Sequence, residues 1–180
     1  MAGNYPKLND RATQLRMTDT LKQRFVEDVF NHVGILHKIC RVYKKDPADR
    51  DDLFQEILYN AWRSYPSFEG RSKFSTWLYR VALNTALHQN RLDKSRKLET
   101  SLDMIENHPP EESDEDNIYL LYKVIEQLDP MEKSIVILYL DEQSYSEISE
   151  ITGLTESNVG VKLNRVKAKI RKILMSYGVR

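Results

Sequence analysis

The sequence predicts an all-α protein, two small helical domains joined by an acidic linker. Three observations carry this. Apolar residues recur at helical spacing along most of the chain, and no segment alternates with the two-residue period of a half-buried strand. Glycine and proline are sparse, six of each in 180 residues, while 30% of positions are charged, which favours helix over sheet. Positions 97–117, KLETSLDMIENHPPEESDEDN, combine Pro109-Pro110 with dense acid and little periodicity, the composition of a linker.

Taken in order, residues 1–20 read as an N-terminal extension without an apolar run of signal-peptide length. Phe25, Val29, Leu36, Ile39 and Tyr43 mark one face of a first helix that stops before KKDPADRDD. Leu53, Ile57 and Ala61 mark a second helix, and Leu78, Val81, Ala82 and Thr85 a third that runs towards Arg96. These elements make a first domain over 21–96. After the 97–117 linker, a second domain covers 118–180. In it, Asp129-Pro130 with Glu132 reads as an N-cap, a first-turn proline and a reciprocal capping partner. Ser144 and Glu147 form a second capping box, opening the short helix YSEISEIT, and Gly153-Leu154 leads to a fresh helix start at Thr155. A short helix, a glycine turn and a longer helix make a helix-turn-helix candidate.

Equal numbers of acids and bases, 27 each, conceal a sorted distribution. From Arg63 to Arg96 seven Lys/Arg face only Glu69 and Asp93, a net of +5. The linker carries eight acids against Lys97, a net of −7, and Thr155 to Arg180 carries seven bases against Glu156, a net of +6. Two basic blocks around an acidic tract suggest two footprints on a polyanion, although solvated helix faces would also look like this.

The last helix divides its faces. Val159, Leu163, Val166, Ile170 and Ile173 form an apolar stripe, while Asn158, Lys162, Arg165, Lys169 and Lys172 form a polar one. The first docks the helix; the second can reach base edges and phosphates. Candidate readers are Thr155, Ser157, Asn158, Val161, Lys162 and Arg165, with Lys169 nearer the backbone or solvent. In the third helix, a face carrying Trp77, Arg80, Asn84, His88, Arg91 and Ser95 interleaves aromatic, cationic and amide groups, as suits a single strand with unstacked bases. Trp77 can equally be a core residue beside Leu78. On the second helix Asp52, Gln55, Glu56, Tyr59 and Arg63 line one side. Acids there complement the helix dipole, and the same side could dock a protein.

No catalytic constellation is present. Gly70 stands alone near Arg71-Ser72-Lys73, so SFEGRSKF lacks the paired glycines of a phosphate loop. His32, His37, His88 and His108 lack metal-ligand spacing, and the single Cys40 points to a reducing compartment. Neither an enzyme activity nor a cofactor, metal or small-molecule substrate is expected. No segment approaches the ~18 consecutive apolar residues of a spanning helix, so membrane insertion is not expected and the location read is cytoplasmic.

Three blocks, DDLFQEILYNAW, SFEGRSKFSTWLYRVALNTAL and LDPMEKSIVILYLDEQSYSEISEITGLTESNVGVKLNRVKAKIRKIL, resemble bacterial extracytoplasmic-function (ECF) sigma factors. The resemblance implies a sigma region 2 bundle over 21–96 and a sigma region 4 helix-turn-helix over 118–180. It implies that Asp52, Leu53, Gln55, Glu56 and Tyr59 dock on the clamp helices of core RNA polymerase. It implies that Phe68, Gly70, Arg71, Ser72, Lys73 and Phe74 form a loop capturing an extruded base of the promoter −10 element. The helix from Trp77 through Arg80, Asn84, His88 and Arg91 would continue along that strand, and the 155–170 segment would read the −35 element. Core polymerase, promoter DNA and an anti-sigma factor are the implied partners. The chain departs from the family at Gly160-Val161, where many members have Lys or Arg and then Ser, and at Arg71, where an acid is frequent. A stand-alone helix-turn-helix regulator would not need the 52–56 block, and an amphipathic interaction protein would show no salt-sensitive DNA binding.

Overall fold

The structure is a computed structural model that describes residues 8–99 and 115–178, with side chains described for 19–93 and 120–178. Most of the 97–117 linker and the first seven residues therefore lie outside the described residues, and so do the side chains of Ser95 and Arg96. Every described regular element is helical. The order is α1 (Leu8–Asn31), α2 (Val33–Tyr43), α3 (Pro47–Ser64), a 3-10 turn (Tyr65–Ser67), α4 (Phe74–Glu99), α5 (Glu115–Glu126), α6 (Pro130–Leu140), α7 (Tyr145–Thr152) and α8 (Glu156–Ser176).

The first helix expected from the sequence is in fact two. The chain breaks at His32, whose backbone (φ −125°, ψ 13°) leaves the helical region, and His32 N–H bonds the Val29 carbonyl at 3.0 Å. The ring Nδ1 lies 2.8 Å from the Asp28 carbonyl, and Gly34 just beyond adds nothing to hold a continuous helix. The apolar residues still share one side after the break: Phe25, Val29, Leu36 and Ile39 are all buried. They pack with Leu53, Ile57 and Ala61 of α3 and Leu78, Ala82 and Ala86 of α4 into one core.

The start of α3 is set by Asp46, whose carboxylate accepts the Ala48 N–H at 2.8 Å, with Pro47 in the first turn. Both capping boxes form as expected. Asp129 and Glu132 close reciprocally at the start of α6, and Ser144 and Glu147 at the start of α7. Gly153 ends α7 in the left-handed conformation (φ 73°), which a side chain would strain. Thr155 caps α8 through Asn158 N–H.

Helix α6 buries five consecutive residues, Ser134 to Leu138. A helix buried on all sides needs neighbours on all sides. It packs against α7 and α8 on one flank and against α2 and α4 on another. Polar contacts stitch the two halves together there. The Tyr43 hydroxyl lies 2.6 Å from both the Pro130 carbonyl and Ser134 Oγ, and burial pushes its phenol pKa well up. Asp141, just past α6, accepts from Lys38 Nζ of α2 and from Tyr79 Oη of α4. Lys45 pairs with Glu126 at 3.0 Å, and the Arg41 guanidinium sits 4.2 Å from the Tyr122 ring centroid.

Candidate nucleic-acid interface

The turn between α3 and α4 is organised by four rings. Tyr65 is buried and its hydroxyl donates to Asp28 Oδ2 at 2.6 Å; burial first, then this bond, pushes its pKa up to about 12. Phe68, Phe74 and Trp77 gather on it, with centroids 5.2 Å apart for Phe68–Trp77, 5.3 Å for Phe74–Trp77 and 5.7 Å for Phe68–Phe74. Edge-to-face and tilted pairs of this kind contribute roughly 0.5–1.5 kcal/mol each beyond burial, enough to fix a short loop. Phe68 N–H closes the turn on the Tyr65 carbonyl at 2.9 Å, and Gly70 supplies the positive φ of 69° that lets the chain double back.

Beside this cluster opens a cleft of about 410 Å³ lined by Ser67, Phe68, Glu69, Arg71, Ser72, Trp77, Arg80 and Glu150. Trp77 therefore belongs to both of its possible settings. It is half-buried against the ring cluster, and it walls the cleft. From the cleft, Arg80, Asn84, His88 and Arg91 follow one exposed stripe along α4, while Leu78, Ala82 and Thr85 are buried on the other side. Thr85 is held by its own bond to the Val81 carbonyl and accepts from Asn60 of α3, so the stripe stands on a fixed helix. Arg71 pairs with Glu69 at the cleft rim, and Lys73 reaches outward to Glu147 of α7 at 2.9 Å.

The helix-turn-helix is α7, the Gly153-Leu154 turn and α8. Val159, Leu163 and Val166 are buried against the domain, whereas Thr155, Ser157, Asn158, Val161, Lys162 and Arg165 are exposed on α8. Lys169 is set apart from these: its ammonium is bound to Glu132 at 2.7 Å, holding α8 to the start of α6. At Gly160 a Cβ would lie 3.4 Å from the Tyr145 ring, an ordinary contact, so the glycine is not enforced by space.

Between α3 and α4, Asp52, Gln55, Glu56 and Tyr59 line a cleft of about 540 Å³ with Lys44, Asp49, Leu53, Gln89 and Asp93. Tyr59 is 59% exposed. Leu53 follows its place on the apolar face with Ile57 and Ala61 rather than the docking role the resemblance implies for it. It is only 2% exposed, packed in the core, so it supports this face from beneath. Glu56 and Thr85 both receive the Asn60 amide at 3.3 Å, linking this face to α4.

Sequence reasoning missed the acids of α7: Glu150 lines the cleft beside Trp77, and Glu147 binds Lys73 of the loop before α4. The sequence marks Glu147 only as a cap and gives no sign of Glu150; their proximity to the first bundle is a tertiary fact that no local spacing encodes. Asp46-Pro47 was missed too, though a cap residue before proline is a legible signal. Among the described residues, no group of three or more His, Cys, Asp and Glu could hold a metal, and no helix is long and apolar enough to cross a membrane. Cys40 is buried; burial first and Asp51 second push its thiol up to about 11, far from a reactive thiolate at neutral pH.

Comparison with known proteins finds matches in both halves of the chain. The family model for sigma-70 region 2 matches residues 30–96, and that for sigma-70 region 4 matches residues 118–170. The ECF RNA polymerase sigma-E factor of Escherichia coli K12 is 29% identical over 151 residues, covering 74% of this chain and 79% of that protein. The ECF RNA polymerase sigma factor SigG of Mycobacterium tuberculosis is 31% identical over 101 residues, covering 56% of this chain and 24% of that protein. In fold, the chain is similar to the sigma factor RpoE of Bartonella quintana, solved with the anti-sigma factor NepR. The TM-score is 0.72 at 19% identity, over 85% of this chain and 98% of that one. CnrH, solved with the cytosolic domain of CnrY, gives 0.64 at 21% identity, over 86% and 90%.

Proposed function

This chain belongs to the ECF RNA polymerase sigma factors, with sigma-70 regions 2 and 4, and on that premise we propose how its surfaces share the work of promoter recognition. A sigma factor serves transcription initiation by bringing RNA polymerase to promoter DNA, without enzymatic activity of its own. The domains are assigned as 21–96 for polymerase and −10 binding, 97–117 as linker, and 118–180 for −35 binding, with 1–20 as an extension. The location assigned is the bacterial cytoplasm, where the polymerase works.

The observation that carries the −10 assignment is the continuous path from an aromatic-walled cleft to an exposed Arg80-Asn84-His88-Arg91 stripe. A base leaving the duplex costs a few kcal/mol to unstack. Phe68 and Trp77 offer ring faces to recover part of that, at about 1–3 kcal/mol per stacked base. Gly70, Arg71, Ser72, Lys73 and Phe74 shape and charge the loop, while Asn84 and Arg91 follow the backbone and base edges. On α8, Asn158, Lys162 and Arg165 are spaced to enter a major groove, with Thr155 and Ser157 at the helix N-terminus suited to phosphate. Val161 offers an apolar contact to a thymine methyl. The Asp52, Gln55, Glu56 and Tyr59 face is assigned to core polymerase, its acids complementing a basic partner. An anti-sigma factor is the further partner, since the RpoE structure holds the anti-sigma factor NepR and the CnrH structure holds the cytosolic domain of CnrY.

The test is open-complex formation by holoenzyme carrying Asn84→Ala. Duplex promoter binding persists in the expected result, while permanganate reactivity of −10 thymines falls. Unchanged reactivity contradicts the assignment of the α4 stripe.

A further inference from the structure

Gly160 lies inside α8, and nothing within the chain asks for a glycine there. Among the described residues the positive-φ glycines are Gly70, Gly153 and Gly178, so Gly160 keeps a helical backbone that any residue adopts. A Cβ would fit, its nearest contact being the Tyr145 ring at 3.4 Å. Glycine inside a helix is less favourable than alanine, so the reason for it lies outside the chain. What the missing side chain leaves uncovered is the Tyr145 ring, brought across from α7. Tyr145 is the first residue of that helix, directly after Ser144 of the capping box, so its backbone is held in place. It is 42% exposed, and Val161, next along α8, is 47% exposed. One exposed apolar side chain needs no explanation. Here two flank a missing one, and together they make a shallow apolar notch on a surface otherwise carrying Ser157, Asn158, Lys162 and Arg165.

We propose that Gly160 sets the −35 preference by what it lacks: the notch floored by the Tyr145 ring and edged by Val161 takes the 5-methyl group of a thymine. The inference rests on the assignment of α8 to the −35 element and adds a determinant of which sequence it prefers. The thymine methyl is the apolar group that a base presents in the major groove, and hydrogen-bonding side chains gain nothing from it. Asn158, Lys162 and Arg165 supply hydrogen bonds and charge around the notch. The notch itself supplies discrimination against cytosine, which carries no methyl at that place. A long side chain at 160, such as the Lys or Arg of many family members, would lie across the ring and fill the seat. The −35 sequence preferred by this chain therefore differs from theirs at the base pair over the notch.

The probe is a promoter duplex mapped by run-off transcription with holoenzyme reconstituted from this chain. Each thymine of its −35 region is replaced, one at a time, by deoxyuridine, which lacks only the methyl. The readout is the ratio of holoenzyme affinities for the thymine and deoxyuridine duplexes in competition, in which any change in general DNA affinity cancels. The native chain is expected to lose about fourfold at one thymine, as burial of one methyl-sized group implies. Tyr145→Phe keeps the ring and is expected to keep that ratio. Tyr145→Ser removes the floor and Gly160→Gln fills the seat; both are expected to bring the ratio to one, with the helical spectrum unchanged. A ratio of one at every −35 thymine in the native chain overturns the proposal, as does a native ratio that persists in either variant. In both cases, binding that still falls when the −35 region is scrambled leaves the −35 assignment standing. Binding indifferent to scrambling overturns both.

Discussion

The Asp141 carboxylate is the most exacting test of how the two halves are joined. It sits past the end of α6, with 15% of its side chain exposed, and accepts from Lys38 and from Tyr79. Burial first, then this bond, holds the Tyr79 phenol well above its usual pKa, so it stays a donor throughout the neutral range. Asp141→Ala removes both contacts and strands a largely buried hydroxyl. A hydrogen bond to a charged acceptor contributes about 1.5–3 kcal/mol. The Lys38 pair adds only about 0.5–1 kcal/mol, because that side chain is 39% exposed and screened. The sum is about 2–4 kcal/mol of interdomain coupling, roughly one and a half to three powers of ten in an equilibrium constant. Both tryptophans, Trp62 and Trp77, lie in the first bundle, so fluorescence reports that half while far-UV circular dichroism reports all the helices. In urea, the two probes are expected to coincide for the native chain and to separate for Asp141→Ala, the second bundle melting first. Asp141→Asn, which can still accept from Tyr79, is expected to fall between them. Coincident transitions in Asp141→Ala at an unchanged midpoint would refute the reasoning.

Charge reversal at Asp52 and Glu56 to Lys is expected to abolish core polymerase binding with the helical spectrum intact; retained holoenzyme on gel filtration counts against the docking face. Arg165→Ala is expected to lose about 1–3 kcal/mol at the −35 element, read as relaxed preference among −35 variants with core binding unchanged. Glu147 is held down to about 2 from 4.5, first by the Lys73 hydrogen bond and then by Ser144. A depressed carboxylate contributes stability that is fully present above 4.5 and lost as pH falls through the folded value. Crosslinking between α4 and α7 should therefore hold steady from about pH 5 to 8 and decline only in stronger acid; a change near neutrality speaks against this contact.

Local chemistry made most of the fold legible. Asp129-Pro130-Glu132 and Ser144-Glu147 are self-contained signals, satisfied within one helical turn, and both form. The apolar stripe Val159-Leu163-Val166 likewise needs only helical spacing to be recognised. The break at His32 was not legible, because apolar spacing on either side stays in phase across it and only backbone geometry reveals it. The burial of Leu53 was legible in its spacing with Ile57 and Ala61; only its implied docking role was not, since a one-residue step from the exposed Asp52 turns a helix through about 100°. Asp141, in the turn DEQS, looks like a solvated loop residue until α2 and α4 supply Lys38 and Tyr79. The candidate DNA stripe was visible for the opposite reason. Its exposure follows from the buried side of the same helix.

Run-off transcription with purified core polymerase, with and without this chain, on genomic DNA from its own source tests the central claim most directly. The account predicts a defined set of new transcripts that appear only with the chain and disappear with Asp52→Lys/Glu56→Lys. An identical transcript pattern with and without the chain would contradict it.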